Sequence, residues 1–199
     1  MNPWLVFDYG GVISLHTQAI PAMAARVGAT LEAFEPGYWS ERDAYDRGCP
    51  DIDYWRAVCA HVGVDVDSAL SDELTRLDIE GWLSTDDKTV KLLGQLAGMG
   101  ARLALLSNAP SSFGRVAERQ PWAERFTHLV FSGDLRLAKP DAEFYAALFG
   151  KLGARAADCL FVDDRQVNVD GALAVGMPAH LWTSADELAT TLVRFATCS

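Results

Sequence analysis

The sequence predicts an α/β protein: a mostly parallel sheet with helices on both faces, interrupted by a helical insertion. Three observations lead there. Short apolar runs alternate with helix-length amphipathic segments from residue 86 onward, the pattern of strand–helix–strand units. Several of these runs close on Asp, Ser or Asn, as strands do when their ends meet a polar crevice. Residues 14–85 break the alternation, with helix-like spacing and no strong strand signal.

The first strand is Trp4 to Phe7, closed by Asp8 and the pair Gly10-Gly11. Such a run reads as a strand buried on both faces. Burying an unpaired charge is costly, so Asp8 belongs at the strand's carboxyl end with a cation or hydrogen-bond donors beside it. On this stretch alone, a turn aspartate closing the strand is the slightly favoured reading. In the insertion, residues 17–27 and 51–62 have helical spacing, with Tyr54, Trp55, Val58 and Val62 on one face. Glu35-Pro36-Gly37 and Gly48-Cys49-Pro50 are expected to break the helices apart.

Next, Asp86 or Asp87 caps a helix that Gly100 ends. Strand 102–106 closes on Ser107-Asn108, and a helix covers 112–120. Strand 128–131 closes on Ser132-Gly133-Asp134, and Pro140-Asp141 starts a helix running to Leu152. Strand 158–162 closes on Asp163-Asp164, followed by a helix near 168–175 that Gly176 ends. A last strand, 179–182, and a helix, 184–196, complete the pattern.

Half of the 199 residues are hydrophobic and mean hydropathy is near zero, which fits one soluble globular domain with an insertion. No apolar run reaches the ~20 residues of a membrane span. Neither a signal peptide nor paired cysteines are seen, so a reduced, cytoplasmic protein is expected. Cys49, Cys59, Cys159 and Cys198 are scattered, and Cys159 reads as a small core residue. A formal charge of −10 without a basic stripe argues against a nucleic-acid partner. It also means that an anionic substrate needs local compensation, from a metal ion or a well-placed lysine.

Parallel strands share one direction, so Asp8, Ser107 and Asp163-Asp164 should converge on one sheet edge. Carboxylates facing one another repel unless a cation or proton lies between them, and an all-oxygen set suits Mg²⁺. Ser107 and Asn108 offer neutral groups for phosphate-type oxygens, and Lys139 one positive charge.

These residues carry a resemblance. Phe7-Asp8-Tyr9-Gly10-Gly11-Val12-Ile13, Leu106-Ser107-Asn108-Ala109, Lys139-Pro140 and Phe161-Val162-Asp163-Asp164 with Asn168 and Gly171-Ala172 resemble, in order, the four motifs of the haloacid dehalogenase-like hydrolases. The likeness is to their sugar-phosphatase-like and epoxide-hydrolase-N-terminal-phosphatase-like members with a small helical cap. It implies a Rossmann-like three-layer α/β/α core from residues 1–13 and 86–199, with a cap at 14–85. It further implies a Mg²⁺-dependent phosphatase in which Asp8 attacks phosphorus to form an aspartyl-phosphate that water hydrolyses. Mg²⁺ would be held by Asp8, the Gly10 carbonyl and Asp164, with Asp163 and Asn168 nearby. Ser107 and the Asn108 backbone would bind phosphate, and Lys139 would neutralise charge. Asp46-Arg47-Gly48 resembles the cap loop over the substrate, which points to Tyr45 and Arg47 for specificity.

One position departs from the family pattern. The general acid/base Asp expected two residues after the nucleophile is Gly10, as in some sugar-phosphatase-like members. Such help is worth roughly 10²–10⁴-fold in rate. Slow turnover, a good leaving group or a substitute acid such as His16 would each accommodate the loss. A small phosphorylated metabolite such as a sugar phosphate is the expected substrate. Two other readings stay open: a 2-haloacid dehalogenase using the same Asp, and a silent binding protein. The acidic fourth motif favours phosphoryl transfer. Monomer and homodimer are both compatible with six tryptophans, among them Trp39, Trp55 and Trp82 in or near the insertion.

Overall fold

A computed structural model of the chain describes residues 3–197, so Cys198 lies outside the described residues. Apolar runs form five strands: β1 (Trp4–Phe7), β2 (Arg102–Ser107), β3 (His128–Phe131), β4 (Cys159–Asp163) and β5 (Ala179–Leu181). They pair in the order β3-β2-β1-β4-β5, all parallel. β1 is central, with Phe7 in register with Leu105 on one side and Val162 on the other. The chain runs outward from β1 through β2 to β3, then returns to add β4 and β5 on the opposite side. That reversal makes the carboxyl ends of β1 and β4 a switch point, where open α/β sheets bind ligands.

Side chains alternate across the sheet, and the alternation sorts the core into two layers. Leu5 and Phe7 join one apolar cluster with Leu103 and Leu105, while Trp4 and Val6 join another with Ala104 and Leu106. The first is covered by α6 (Asp87–Gly98) and α11 (Ala185–Thr197), the second by α9 (Ala142–Leu152) and α10 (Gln166–Ala174). Asp86 caps α6, accepting the Thr89 N–H at 2.7 Å, and Gly100 follows it with φ +79°. The expected α/β/α layering is what forms.

Between β1 and α6 lie α1 (Ile20–Arg26), α2 (Leu31–Ser40), α3 (Arg42–Asp46), α4 (Asp51–Ala60) and α5 (Ser68–Trp82). They bury an apolar cluster of their own, centred on Phe34, Tyr38, Tyr45, Tyr54, Trp55 and Leu74. Burying one large aromatic contributes at most about 4–6 kcal/mol, so this aromatic group gives the insertion its own source of stability. The two chain crossings into it are stitched together by an antiparallel bridge, Ser14 to Thr85, with Asp86 N–H bonded to the Ile13 carbonyl at 2.8 Å. Among the described residues, no helix is long and apolar enough to cross a membrane.

Four details differ from the sequence expectation. Pro36 does not break a helix but lies inside α2. A Cβ on Gly37 would stand 3.0 Å from the Val58 carbonyl, so Pro36-Gly37 marks the close approach of α2 to α4 instead. Ser132-Gly133-Asp134, read only as the close of the third strand, starts a short helix, α8 (Ser132–Leu135). Asp163 is the last residue of β4, not the first beyond it. Asp141 occupies the cap position of α9 without bonding its N–H groups; its side chain is paired with Arg47 instead.

Candidate active site

Asp8 follows β1 directly, Ser107 ends β2, and Asp163-Asp164 fall at the end of β4. The parallel register therefore brings them to one edge. Lys139 enters on the loop before α9, and its side chain is fully buried. Its ammonium donates to Asp163 Oδ2 and the Leu106 carbonyl and meets Asp8 Oδ1, all at 2.7–2.8 Å. Asp8 Oδ1 also accepts the Tyr9 N–H at 2.6 Å. Both contacts of the Asp8 carboxylate fall on this one oxygen.

The two adjacent aspartates play different structural parts. Asp163 is wholly buried, and its oxygens accept from Lys139, the Arg165 N–H and the Asn168 amide. Asp164 is half-buried and lines the cavity beside these groups. Its approach depends on Gly11: at φ +68°, a Cβ there would lie 2.3 Å from Asp164 Oδ2. Carboxylate oxygens of Asp8, Asp163 and Asp164 lie within 4.8 Å of one another.

One buried ammonium faces these carboxylates, so negative charge is in surplus. Burial pushes the Asp8 carboxyl up to about 8, with Lys139 opposing and Asp163 adding to the rise. Asp164 is raised by burial and then by Asp163. Burial alone would lower Lys139, yet Asp8 and Asp163 outweigh it and hold the ammonium above its ordinary value. In addition, Asn168 Oδ1 is buried without a partner. An orphaned acceptor beside surplus carboxylate is the environment that a hard, hydrated divalent cation satisfies, so the donor set fits Mg²⁺.

Ser107 and Asn108 line the same cavity. The Asn108 side chain is occupied: it accepts the Lys139 N–H at 2.8 Å and donates to the Lys139 carbonyl at 2.9 Å. It therefore fixes the lysine loop. Gly10 also lines the cavity, and the position a Cβ would take there is 3.9 Å from Trp82 Cζ3. His16 stands exposed at the cavity wall.

The insertion roofs this cavity, which holds about 540 Å³. Arg47 lines it, but its guanidinium is held by Asp43 within α3 and by Asp141 of the core at 2.5 Å. Tyr45 does not line it. The ring is fully buried, stacked on Tyr54 at 3.9 Å, and the hydroxyl bonds Asp51 and Ser112. The roof residue that sequence reasoning missed is Arg42, together with the placement of Trp39 and Trp82 beside it; Phe113, from the core helix α7 (Ser111–Ala117), is a further lining residue it missed. Arg42 reaches Asp46 at 3.0 Å and Asp78 at 3.1 Å, and packs over the Tyr38, Tyr45 and Trp82 rings. No sequence signal marked these lining residues, because helical spacing shows which positions share a face but not which face lines a cavity.

Comparison with known proteins follows the same lines. The family model for haloacid dehalogenase-like hydrolases matches residues 4–176. A sesquiterpene phosphatase of Aspergillus oryzae is 34% identical over 114 residues, covering 56% of this chain and 57% of that protein. The chain spans about half the length of the curated relatives it matches. Among solved structures, an L-2-haloacid dehalogenase from Xanthobacter autotrophicus with chloropropionic acid covalently bound superposes with a TM-score of 0.74 at 20% identity. It covers 98% of this chain and 83% of that one. A wild-type enzyme of the same family from Bacteroides thetaiotaomicron, complexed with magnesium and inorganic phosphate, gives 0.71 at 16% identity over 92% and 95% of the two chains. At such identities the structural likeness speaks for the fold.

Proposed function

The chain belongs to the haloacid dehalogenase-like hydrolases, and from that premise we propose that it is a Mg²⁺-dependent phosphatase acting on a small phosphorylated metabolite through an aspartyl-phosphate at Asp8. The observation that carries this reading is the surplus of carboxylate around Lys139, with Asn168 Oδ1 left unpartnered beside it. Displacement of halide from a 2-haloacid by the same Asp needs no such surplus. The phosphatase names of its relatives support the same choice.

In this reading Asp8 attacks phosphorus while Lys139 and the Tyr9 N–H hold Oδ1, leaving Oδ2 as the attacking oxygen. The P–O ester bond breaks with its electrons going to the alcohol oxygen, and water then cleaves the acyl phosphate. Ser107 and the Asn108 backbone hold phosphate oxygens, and Lys139 balances their charge. Mg²⁺, when bound by Asp8, the Gly10 carbonyl and Asp164, supplies charge neutralisation at the phosphate. Asp163 supports from behind, its oxygens already engaged by Lys139, Arg165 and Asn168. Residues 14–85 act as a cap over the core of 1–13 and 86–199, with Arg47 at the seam. The free Cys49, Cys59 and Cys159 suit a reduced, cytoplasmic setting.

Hydrolysis of an aryl phosphate, with Mg²⁺ or with chelator, tests the reading on the native chain and on Asp8→Asn. Activity should require Mg²⁺ and fall by at least about 10³-fold in the variant. Chloride release from 2-chloropropionate, with no phosphate released under any metal condition, would replace it with the dehalogenase.

A further inference from the structure

The roof of the cavity is aromatic, and its polar groups are already spent. Trp82 Nε1 donates to the Tyr38 hydroxyl at 3.0 Å, and Trp39 Nε1 to Glu35 Oε1 at 3.3 Å. With both N–H groups engaged, the two indoles, edge-on to each other at 6.4 Å, offer carbon to the cavity. Trp82 is the ring that stands beside Gly10, two residues from Asp8. Trp39 at 46% and Val167 at 49% exposure are large apolar side chains left open on the cavity's lining.

Charge on the roof is cancelled. Arg42 faces Asp46 and Asp78, and Arg47 faces Asp43 and Asp141. Each insertion arginine in the lining thus meets two carboxylates, which leaves the roof no net positive charge for a second anionic group. Arg165 and His16 line the cavity as exposed groups outside these pairs.

We infer that the cavity takes the phosphate monoester of a flat, uncharged, apolar alcohol, its body laid against Trp82 and Trp39, rather than an ester carrying a carboxylate or second phosphate. The inference rests on the phosphatase reading for the phosphate end only. It also accounts for Gly10. No carboxylate there protonates the departing oxygen, and an alcohol whose oxygen is bonded directly to an aromatic ring leaves with the bond electrons as the more stable anion and takes its proton from water with the least help.

The test is binding to the full chain in Mg²⁺, by calorimetric titration with naphthylmethylphosphonate and with phosphonoacetate. The naphthyl ligand should bind about tenfold more tightly, the scale of a partly buried aromatic ring. Trp39→Ala should weaken it several-fold and leave phosphonoacetate unchanged. Trp82→Phe, which keeps a ring and spares the fold, should retain the preference. Equal or tighter binding of phosphonoacetate, or no binding of either ligand, overturns the inference. If phosphonoacetate wins and Arg165→Gln abolishes its binding, the cavity reads a second anion at Arg165 instead. Failure of aryl phosphate hydrolysis with the naphthyl preference intact would sink the phosphatase reading and leave the apolar wall standing.

Discussion

Two buried ion clusters face each other across the cavity, and they are built alike. In the core, Lys139 lies between Asp8 and Asp163; in the insertion, Arg42 lies between Asp46 and Asp78. Each holds one cation against two carboxylates. The insertion cluster is closed: the Tyr38 hydroxyl donates to Asp78 at 2.5 Å, and aromatic rings pack over the guanidinium. The core cluster is open, with Asp164 beside it and Asn168 Oδ1 unpartnered. Buried charge by itself therefore does not mark a site. Surplus charge that the protein leaves unsatisfied does.

Removing each cation is the sharpest way to break the comparison. A buried pair that loses one partner typically costs 3–5 kcal/mol, about 10²-fold or more in the folding equilibrium. Lys139→Met, with a side chain wholly buried in the native chain, should reach that range; Arg42→Met, 13% exposed, should fall near its lower end. Chemical unfolding measures both. Mg²⁺ should recover part of the Lys139→Met loss and none of the Arg42→Met loss. Equal recovery would mean that the insertion cluster also holds the ion.

The pH dependence separates the clusters next. The Asp8 carboxyl, raised by burial from 3.8 to about 8, binds a proton in the folded chain that the unfolded chain has released. A raised acid gives stability that is present below the unfolded value and lost as pH climbs through the folded one. Bound Mg²⁺ favours the ionised form, so the rise in Tm on adding Mg²⁺ should grow between about pH 5 and 8. Asp46 is also raised by burial, with Arg42 opposing, and shares the sign of the effect. Asp46→Asn should leave the Mg²⁺ increment unchanged. A Mg²⁺ increment that is flat with pH would argue that Asp8 is not among the ligands.

Gly11→Ala tests the open side of the core cluster at a single atom. A methyl at φ +68° costs about 1–2 kcal/mol by itself, and here it would also displace the Asp164 carboxylate. Stability should fall by that amount and Mg²⁺ affinity by about tenfold, the equivalent of one charge-assisted contact. Unchanged Mg²⁺ affinity would move the ligand role from Asp164 to Asp163.

How much of this could be read from the chain alone follows the same division. Asp8, Ser107 and Asp163-Asp164 were legible because parallel strands force their ends to one edge, whatever the packing between them, while Lys139, on a loop, was placed beside them by its motif resemblance. The insertion cluster was not. Arg42 and Asp78 are 36 residues apart on different helices, and no periodicity links a helix-face arginine to a distant aspartate. Pro36 misled for a related reason: local propensity predicts a break, while packing of α2 on α4 keeps the helix whole. Tyr45, expected to face substrate, is instead used to fill the insertion's core.

The smallest expected effect concerns the seam between the two clusters. Arg47 and Asp141 are 31% and 36% exposed, and such pairs contribute roughly 0.2–1 kcal/mol. Arg47 also holds Asp43 on its own helix, so a single Arg47→Gln confounds two contacts. A double-mutant cycle with Asp141→Asn isolates the cross-seam term, which should shrink as salt is raised. Arg47 keeps the Asp141 carboxyl below 3.8, so the pair's contribution holds above that value and disappears only as pH falls beneath it. Its importance is leverage, not strength. The Ser14–Thr85 bridge ties the chain crossings together, leaving the far side of the insertion to be held by contacts like this one. If closure over substrate uses the pair, a loss of about 0.5 kcal/mol should roughly double KM with kcat nearly unchanged. A shift in kcat alone would show that the pair governs product release instead.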